Sequence, residues 1–323
     1  MRAGHVFCGI TVVGRNPTSS PTFAYIAGTS NCGSTLMSFL LNAQAHVTSV
    51  GEVAWSIPEV NPGSFICSCG QSLDTCQFWL EVGREMGQRG YLFDADHWNA
   101  TFKVRGNRLI QRVAVRPLGT NLADRFRDKL VRTTSGWGKE LVQIGKRNVA
   151  LAESITNITG ASVFVDASKD PARVRLLREY SKIEPYVIHL VRDAPAFVKS
   201  FIKKDARLID KAIQWWNRTN WQMDHLKKLI PPSQWLLVRY EDVCADPETE
   251  LQRILRFLGV EEEAPVLDFR RGPHHIIGNK MRLGDASTIR LDTSWREALS
   301  KAQVEQIIRS TKKYRQLLGY TQN

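Results

Sequence analysis

Two stretches of the chain carry residues that could grip an anion. The first reads GTSNCGST, residues 28–35, directly after the run FAYIA. It has the frame of a phosphate loop: glycine, four residues, glycine, then two more. The nucleotide-hydrolysing version is G-x-x-x-x-G-K-[ST]. Gly28, Gly33 and Thr35 fit, and Ser34 stands where the lysine belongs. Backbone N–H groups at a helix start bind anions without side-chain charge, and the helix dipole adds about 0.3–1 kcal/mol there. The hydroxyls of Ser30, Ser34 and Thr35 can add hydrogen bonds. A tight strand–helix turn that binds nothing would need the same glycines. The missing lysine speaks against triphosphate hydrolysis, where that cation supports the transferred group.

The second stretch is HLVRDAPAFVKS, residues 189–200. The fork of Arg192 and the hydroxyl of Ser200, two helical turns on, can converge on one phosphate. A surface ion pair of Arg192 with Asp193 or another neighbour is the plainer alternative. A third group is sulfur-rich. Of the six cysteines, Cys67, Cys69 and Cys76 cluster in FICSCGQSLDTCQFW, while Cys8, Cys32 and Cys244 are scattered. That C-x-C-x6-C spacing falls short of a four-ligand zinc set unless a histidine or another group joins it. A disulfide within the cluster and plain reduced thiols are the other readings.

These residues need a scaffold, and the hydrophobic pattern supplies one. TFAYIAG (22–28) predicts a strand, and STLMSFLLNAQ after the loop predicts a buried helix. ASVFVD (161–166) and YVIHLVRD (186–193) predict two more strands, each followed by a helix. Pro171 sits at the favoured first turn of the helix after ASVFVD. WLLVRYED predicts a fourth strand, and Asp246, Pro247 and Gly259 bracket a further helix. DKAIQWWNRTNWQMDHLKKLI is a long amphipathic helix stopped by Pro231 and Pro232, and a last helix starts near TSWREAL. Residues 58–78 read as an irregular loop. The alternation implies an α/β fold, a central parallel sheet flanked by helices on both faces. Ligands then bind beyond the strands' carboxyl ends, where Gly28, Asp166 and Arg192 are expected to face one crevice.

Composition bounds the function. The 323 residues are 43% hydrophobic and 24% charged, with a net charge of +12, which suits a globular enzyme with an anionic ligand. The basic residues are scattered with no run of five, which argues against nucleic acid. No apolar run reaches the roughly 20 residues of a membrane span, and the first 21 residues do not have the pattern of a signal peptide.

Taken in order, the motifs resemble the PAPS-dependent sulfotransferases, in particular bacterial-type members related to tyrosylprotein and carbohydrate sulfotransferases. (PAPS is 3′-phosphoadenosine 5′-phosphosulfate.) GTSNCGSTLMSFLL looks like that family's 5′-phosphosulfate loop, and HLVRDAPAFVKS like its 3′-phosphate segment. VGEVAW resembles its G-E element, VDASKDPARVRLL its D-S-S-K-x-P-x-R segment, and VRYEDVCADPETELQRILRFLGV its Y-E-D stretch. HHIIGNKMR is similar to its G-N-x-x-R segment, and CSCGQSLDTCQFW to a C-x-C-G element of some members. The resemblance spans residues 23–282.

It implies a P-loop-like sulfotransferase fold and in-line sulfuryl transfer from PAPS to a hydroxyl or amine. It places Gly28, Ser30, Asn31, Cys32, Gly33, Ser34 and Thr35 around the phosphosulfate, with Arg192 and Ser200 on the 3′-phosphate and Arg282 closing over the phosphates. Glu52 is implied as base and Lys169 as the cation at the bridging oxygen. His46 is the rival base, with His274 and His275 more distant candidates. Trp215 and Trp216 could stack on adenine, or belong to the core. One departure stands out: the family usually has lysine or arginine where this chain has Asn31. Then Lys169, Arg173 or Arg282 covers the site, or the protein is slow, or it binds the nucleotide without catalysis.

The expected organisation is a flexible arm at 1–21 and one sulfotransferase domain at 22–323, with a helical insertion at about 79–160. The expected co-substrate is PAPS, with no obligate metal. The expected acceptor is a small molecule, glycan or peptide, and the expected setting is cytoplasmic with no membrane anchor and an open oligomeric state. The competing readings are a P-loop kinase or NTPase, for which the lysine is absent and FVDAS offers only a weak Walker B, and a non-catalytic bisphosphate-binding protein.

Overall fold

The computed structural model describes residues 20–54, 65–133, 136–203, 205–261, 264–284 and 287–320. All but the last two residues of the expected arm, and part of the expected 58–78 loop, lie outside the described residues. Five parallel strands form one sheet in the order β2-β3-β1-β4-β5. They are β1 (Thr22–Gly28), β2 (Val47–Gly51), β3 (Val163–Lys169), β4 (Tyr186–Val191) and β5 (Trp235–Arg239). All four strand pairings are parallel, so each connection is a crossover that places a helix over one face.

The central strand shows how sequence divides the core. Phe23, Tyr25 and Ala27 point to one face and join a cluster with Trp79, Val82, Leu151 and Ile155. Ala24 and Ile26 point to the other and pack with Leu36, Phe39, Leu40 and Leu255. This is the period-two alternation of a strand buried on both sides. Helices α2 (Gln77–Gln88), α3 (Arg108–Val115), α4 (Asn121–Thr133), α5 (Trp137–Thr159) and α6 (Pro171–Leu176) supply much of the first face. The helical character expected for 79–160 is therefore present, and α5 contributes Leu141, Leu151 and Ile155 to the core itself. On the second face lie α1 (Ser34–Asn42), the short α9 (Tyr240–Ala245) and α10 (Pro247–Phe257). A third cluster joins α7 (Ala194–Ile202), α8 (Ile209–Lys227) and the C-terminal α12 (Lys301–Leu317).

Three expectations need correction, and one open alternative closes. Strand β2 has no counterpart in the sequence reading: VTSVG is short and carries only two large apolar residues, yet all five are buried. Strand β3 runs three residues beyond Asp166. That carboxylate does not face the crevice. It is fully buried and receives Arg173 Nε at 2.8 Å. The expected last helix divides into α11 (Trp295–Ala298) and α12, because Leu299 is extended and Ser300 starts a new helix with a capping box to Gln303. Trp216 is core: it is fully buried and donates from Nε1 to Arg192 O at 3.0 Å.

Candidate active site

Every strand delivers something to the carboxyl edge of the sheet. From β1 comes the loop. Gly28 lies so close to β4 that a Cβ would sit 2.1 Å from Leu190 O. Gly33 adopts φ 94° and faces the Tyr240 ring, which a Cβ would meet at 2.4 Å. Only glycine satisfies both constraints. Between them Asn31 is exposed and also left-handed, at φ 59°, a conformation asparagine tolerates better than most residues. Gly33 caps α1 without a side-chain hydrogen bond, and the first turn of α1 holds no acidic residue. Its amide dipoles therefore meet no competing carboxylate from their own turn. Ser34 and Thr35 are buried at this end, and Ser30 is half-buried above it. Burial pushes the Cys32 thiol up to about 11, against the lowering effect of Lys169. That keeps it a neutral thiol.

Strands β2 and β3 bring Glu52 and Lys169 together. Lys169 Nζ lies 2.5 Å from Glu52 Oε1, with the two side chains 12% and 24% exposed. Two register shifts make this meeting possible. Between Tyr25 and Ala27 the partner in β3 advances from Asp166 to Lys169, and between Ser49 and Gly51 the partner advances only from Val165 to Asp166. Such bulges re-aim side chains at a sheet edge. Lys169 is also left-handed, at φ 70°, a conformation that costs about 1–3 kcal/mol and that the surrounding structure must hold. The holding contacts are visible. Ser168 takes Ala54 N–H on Oγ at 2.8 Å, and its N–H donates to Asp166 Oδ1. Trp98 and Thr101 donate to Val53 O and Ala54 O, and Glu52 N–H donates to Ile277 O at 2.9 Å. Gly278 follows in that same strap, where a Cβ would lie 3.2 Å from Thr35 Oγ1 and 3.6 Å from Glu52 Oε1. Thr35, Glu52 and Lys169 therefore share one corner.

Strands β4 and β5 build a second corner around Arg192. Its guanidinium lies over the Tyr240 ring at 4.8 Å, touches Asn31 O at 3.5 Å and reaches Asp292 Oδ2 at 3.1 Å. Arg192 Nε is buried without a partner among the described residues, as is Thr29 Oγ1. Behind it, Asp193 caps α7 and accepts from Arg315 Nε and Nη2, so the position of Arg192 is fixed by its neighbours. Lys199 donates to Ser294 Oγ at 2.6 Å and lies 3.9 Å from Asp292. Ser200, next in sequence, is half-buried on α7. Burial alone would raise the Asp292 carboxyl, but hydrogen bonds from Ser294 and Arg192 and the charge of Lys199 outweigh it and hold the group at about 2.

Other sequence candidates fall elsewhere. His46 is exposed at the amino end of β2, where its carbonyl receives Ser162 and Val163 N–H groups. The whole length of that strand separates it from Glu52, because β2 is traversed between them. His274 packs edge-on against Phe39 and meets Asn42 at the far end of α1. Arg173 is committed to scaffolding, bonding Asp166, Ala100 O and Asn148. Arg282 is buried and bonded to the carbonyls of Ile66, Gly278 and Asn279, with its guanidinium over Phe65. In this structure it braces the strap whose Gly278 abuts Thr35 and Glu52. Sequence reading missed Tyr240, Lys199, Asp292 and Ser294. Tyr240 lies in the VRYED motif and Lys199 beside Ser200, but Asp292 and Ser294 lie in a segment without a motif.

A family model described as the sulfotransferase family matches residues 24–265, well over half of the chain. The chain belongs to the sulfotransferase family. Solved structures agree on the fold. A sulfotransferase domain from the curacin biosynthetic pathway superposes with a TM-score of 0.52 at 16% identity, covering 94% of this chain and 99% of that one. The sulfotransferase domain of the Synechococcus PCC 7002 olefin synthase gives 0.50 at 16% identity, covering 96% and 99%. No curated protein matches. The five-stranded parallel sheet flanked by helices is thus the P-loop-like sulfotransferase fold, and the family assigns a transferase acting in sulfuryl transfer. No helix among the described residues is long and apolar enough to cross a membrane.

Proposed function

We propose that the protein transfers the sulfuryl group of PAPS to a hydroxyl or amine of an acceptor and releases adenosine 3′,5′-bisphosphate. The observation that carries this reading is the Glu52–Lys169 pair, held beside an uncapped helix start. A base and a cation sit at one edge of a loop that offers backbone N–H groups and three hydroxyls. Bound at that loop, the donor supplies a sulfuryl group on a phosphate leaving group. Glu52 takes the acceptor proton as the acceptor oxygen or nitrogen bonds to sulfur. Lys169 meets the charge that grows on the bridging oxygen as the sulfur–oxygen bond breaks, and the α1 amides meet the charge on the phosphate. Arg192, whose Nε has no partner among the described residues and whose guanidinium lies over the Tyr240 ring, suits the 3′-phosphate, with Ser200 and Lys199 on the adjoining helix. The acceptor, a small molecule, glycan or peptide, would bring its hydroxyl or amine to Glu52, which is 24% exposed. The unbridged thiols of Cys67, Cys69 and Cys76 fit a reducing compartment such as the cytoplasm.

Transfer from labelled PAPS against an acceptor panel, alongside calorimetric binding of adenosine 3′,5′-bisphosphate, tests the reading. Labelled product and bisphosphate binding that Arg192→Ala weakens are expected. Bisphosphate binding without product from any acceptor would point to a binding protein. Failure to bind PAPS or the bisphosphate would overturn the proposal.

A further inference from the structure

The cysteine cluster is not absorbed by the transfer chemistry, and it closes on a histidine from a distant part of the chain. Ligand atoms of Cys67, Cys69, Cys76 and His275 all lie within 4.8 Å of one another. Cys69 Sγ is 3.6 Å from Cys76 Sγ, and His275 Nδ1 is 3.3 Å from Cys76 Sγ and 3.8 Å from Cys67 Sγ. Tetrahedral zinc with its usual Zn–S and Zn–N bonds of about 2.3 and 2.0 Å sets sulfur–sulfur edges of about 3.8 Å and sulfur–nitrogen edges of about 3.5 Å. Those three of the six ligand–ligand edges lie within about 0.3 Å of the tetrahedral values. A disulfide could use only two of the three thiols and would leave the imidazole unexplained.

We propose that Cys67, Cys69, Cys76 and His275 bind one zinc ion as a structural Cys3His site. His275 is the histidine that the C-x-C-x6-C spacing lacked for a four-ligand zinc set. The donor set is soft, with three thiolates and one imidazole, which favours zinc over magnesium or calcium. Four protein ligands leave no open position, so the role is structural. The backbone already has the shape of a small metal-binding hairpin. Cys67 N–H donates to Gln71 O and Gly70 N–H to Cys67 O, and Ile66 bridges Ser72 in antiparallel fashion. Cys76 precedes the first turn of α2, where helix N–H groups favour a thiolate. The His275 ring stacks on Phe78 at 4.3 Å and 4°, and Ser68 Oγ takes Ile276 N–H while donating to His274 O. Cys67 and Cys76 are fully buried, and Cys69 sits at the exposed rim.

The site has a consequence for the active edge. His275 begins the strap whose Ile277 donates to Val50 O and accepts from Glu52 N–H, and whose Gly278 abuts Thr35. A metal there ties residues 67–76 to the strap that backs Glu52.

Metal analysis of the full chain, purified reduced and without chelator, tests this. About one zinc per chain is expected. Cobalt(II) replacement should give the thiolate charge-transfer band and intense d–d bands of a tetrahedral sulfur-rich site. Cys69→Ser, at the exposed rim, and His275→Ala should each raise the zinc dissociation constant by about 100-fold or more, since even outer-shell changes cost 10–100-fold. Removing zinc from the wild type should lower its melting temperature, and zinc, but not magnesium, should restore it. Two results would overturn the proposal. One is a folded, reduced wild-type protein that takes up neither zinc nor cobalt. The other is zinc binding that both variants retain undiminished. Should the variants not fold, the cobalt spectrum of the wild type still decides.

Discussion

Asp292 should compete with the nucleotide. Its carboxylate accepts from Arg192 Nη2 at 3.1 Å and lies 3.9 Å from Lys199 Nζ, so it occupies the cations proposed for the 3′-phosphate. A charge-assisted hydrogen bond is worth about 1.5–3 kcal/mol when buried. Here Arg192 is 8% exposed but Asp292 is 41% exposed, and solvent screening reduces the figure to about 1 kcal/mol. Asp292→Asn should therefore tighten adenosine 3′,5′-bisphosphate binding about fivefold. Titration calorimetry near 0.1 M salt, where the Debye length is about 10 Å, reads this directly. The carboxyl is held at about 2, a depressed value. The contribution of its ion pair to stability is thus complete above the ordinary carboxylate range and is lost only as pH falls through about 2. From pH 5 to 8 the group stays ionised, and the fivefold ratio should be flat. Arg192→Ala should weaken binding about 100-fold through loss of two charge-assisted bonds, and in that background Asp292→Asn should have little further effect. An Asn variant that binds no tighter would refute the competition, and an Arg192→Ala variant that binds the bisphosphate undiminished would take Arg192 out of the phosphate site.

Glu52→Gln should lower kcat by about 10²–10⁴-fold while bisphosphate affinity stays within a factor of about two. Lys169→Ala should lower kcat by about 10²–10³-fold, and rapid-quench measurement of the chemical step separates this from slow product release. His46→Ala, at the opposite end of β2, should leave kcat and KM unchanged; a large fall in kcat would shift the base away from Glu52. Arg173→Met removes the partner of the fully buried Asp166 and should cost about 3–5 kcal/mol in urea unfolding, with the bisphosphate affinity of the remaining folded protein preserved.

What the sequence reveals of this molecule follows the range of each signal. The loop 28–35 is local: strand, glycines and helix are contiguous, so its place and its Ser34 and Thr35 could be read directly. Strand β1 is a short β-rich run bounded by Gly28, and its limits match the expectation. Strand β2 is five residues with three small or polar ones, and only tertiary burial makes it a strand. Asp166 shows the same limit in reverse. Its position near a strand end suggested a crevice residue, but a bulge continues β3 to Lys169, and Arg173, Ser168 and Asn148 turn the carboxylate into scaffold. The zinc cluster needed a partner about 200 positions away, which no spacing rule reaches.

Asn31 illustrates how fold geometry can move a charge from one element to another. Its backbone is left-handed and its side chain exposed, while the loop's own anion-binding capacity comes from α1 amides and hydroxyls. Two cations border the loop: Arg192 reaches Asn31 O at 3.5 Å, and Lys169 arrives from β3. Burial raises the Cys32 thiol and the charge of Lys169 opposes that rise, and the bulge opposite Ala27 that brings Lys169 there leaves it at φ 70°. On the proposed reaction, a lysine at position 31 and Lys169 would serve the same developing charge. Adding that lysine back gives the reasoning its sharpest form. Asn31→Lys should rescue part of the turnover lost in Lys169→Ala and change little in the wild-type background. A gain of similar size in both backgrounds would mean that the two positions act on different charges, and that Lys169 has a role other than the one its place beside Glu52 suggests.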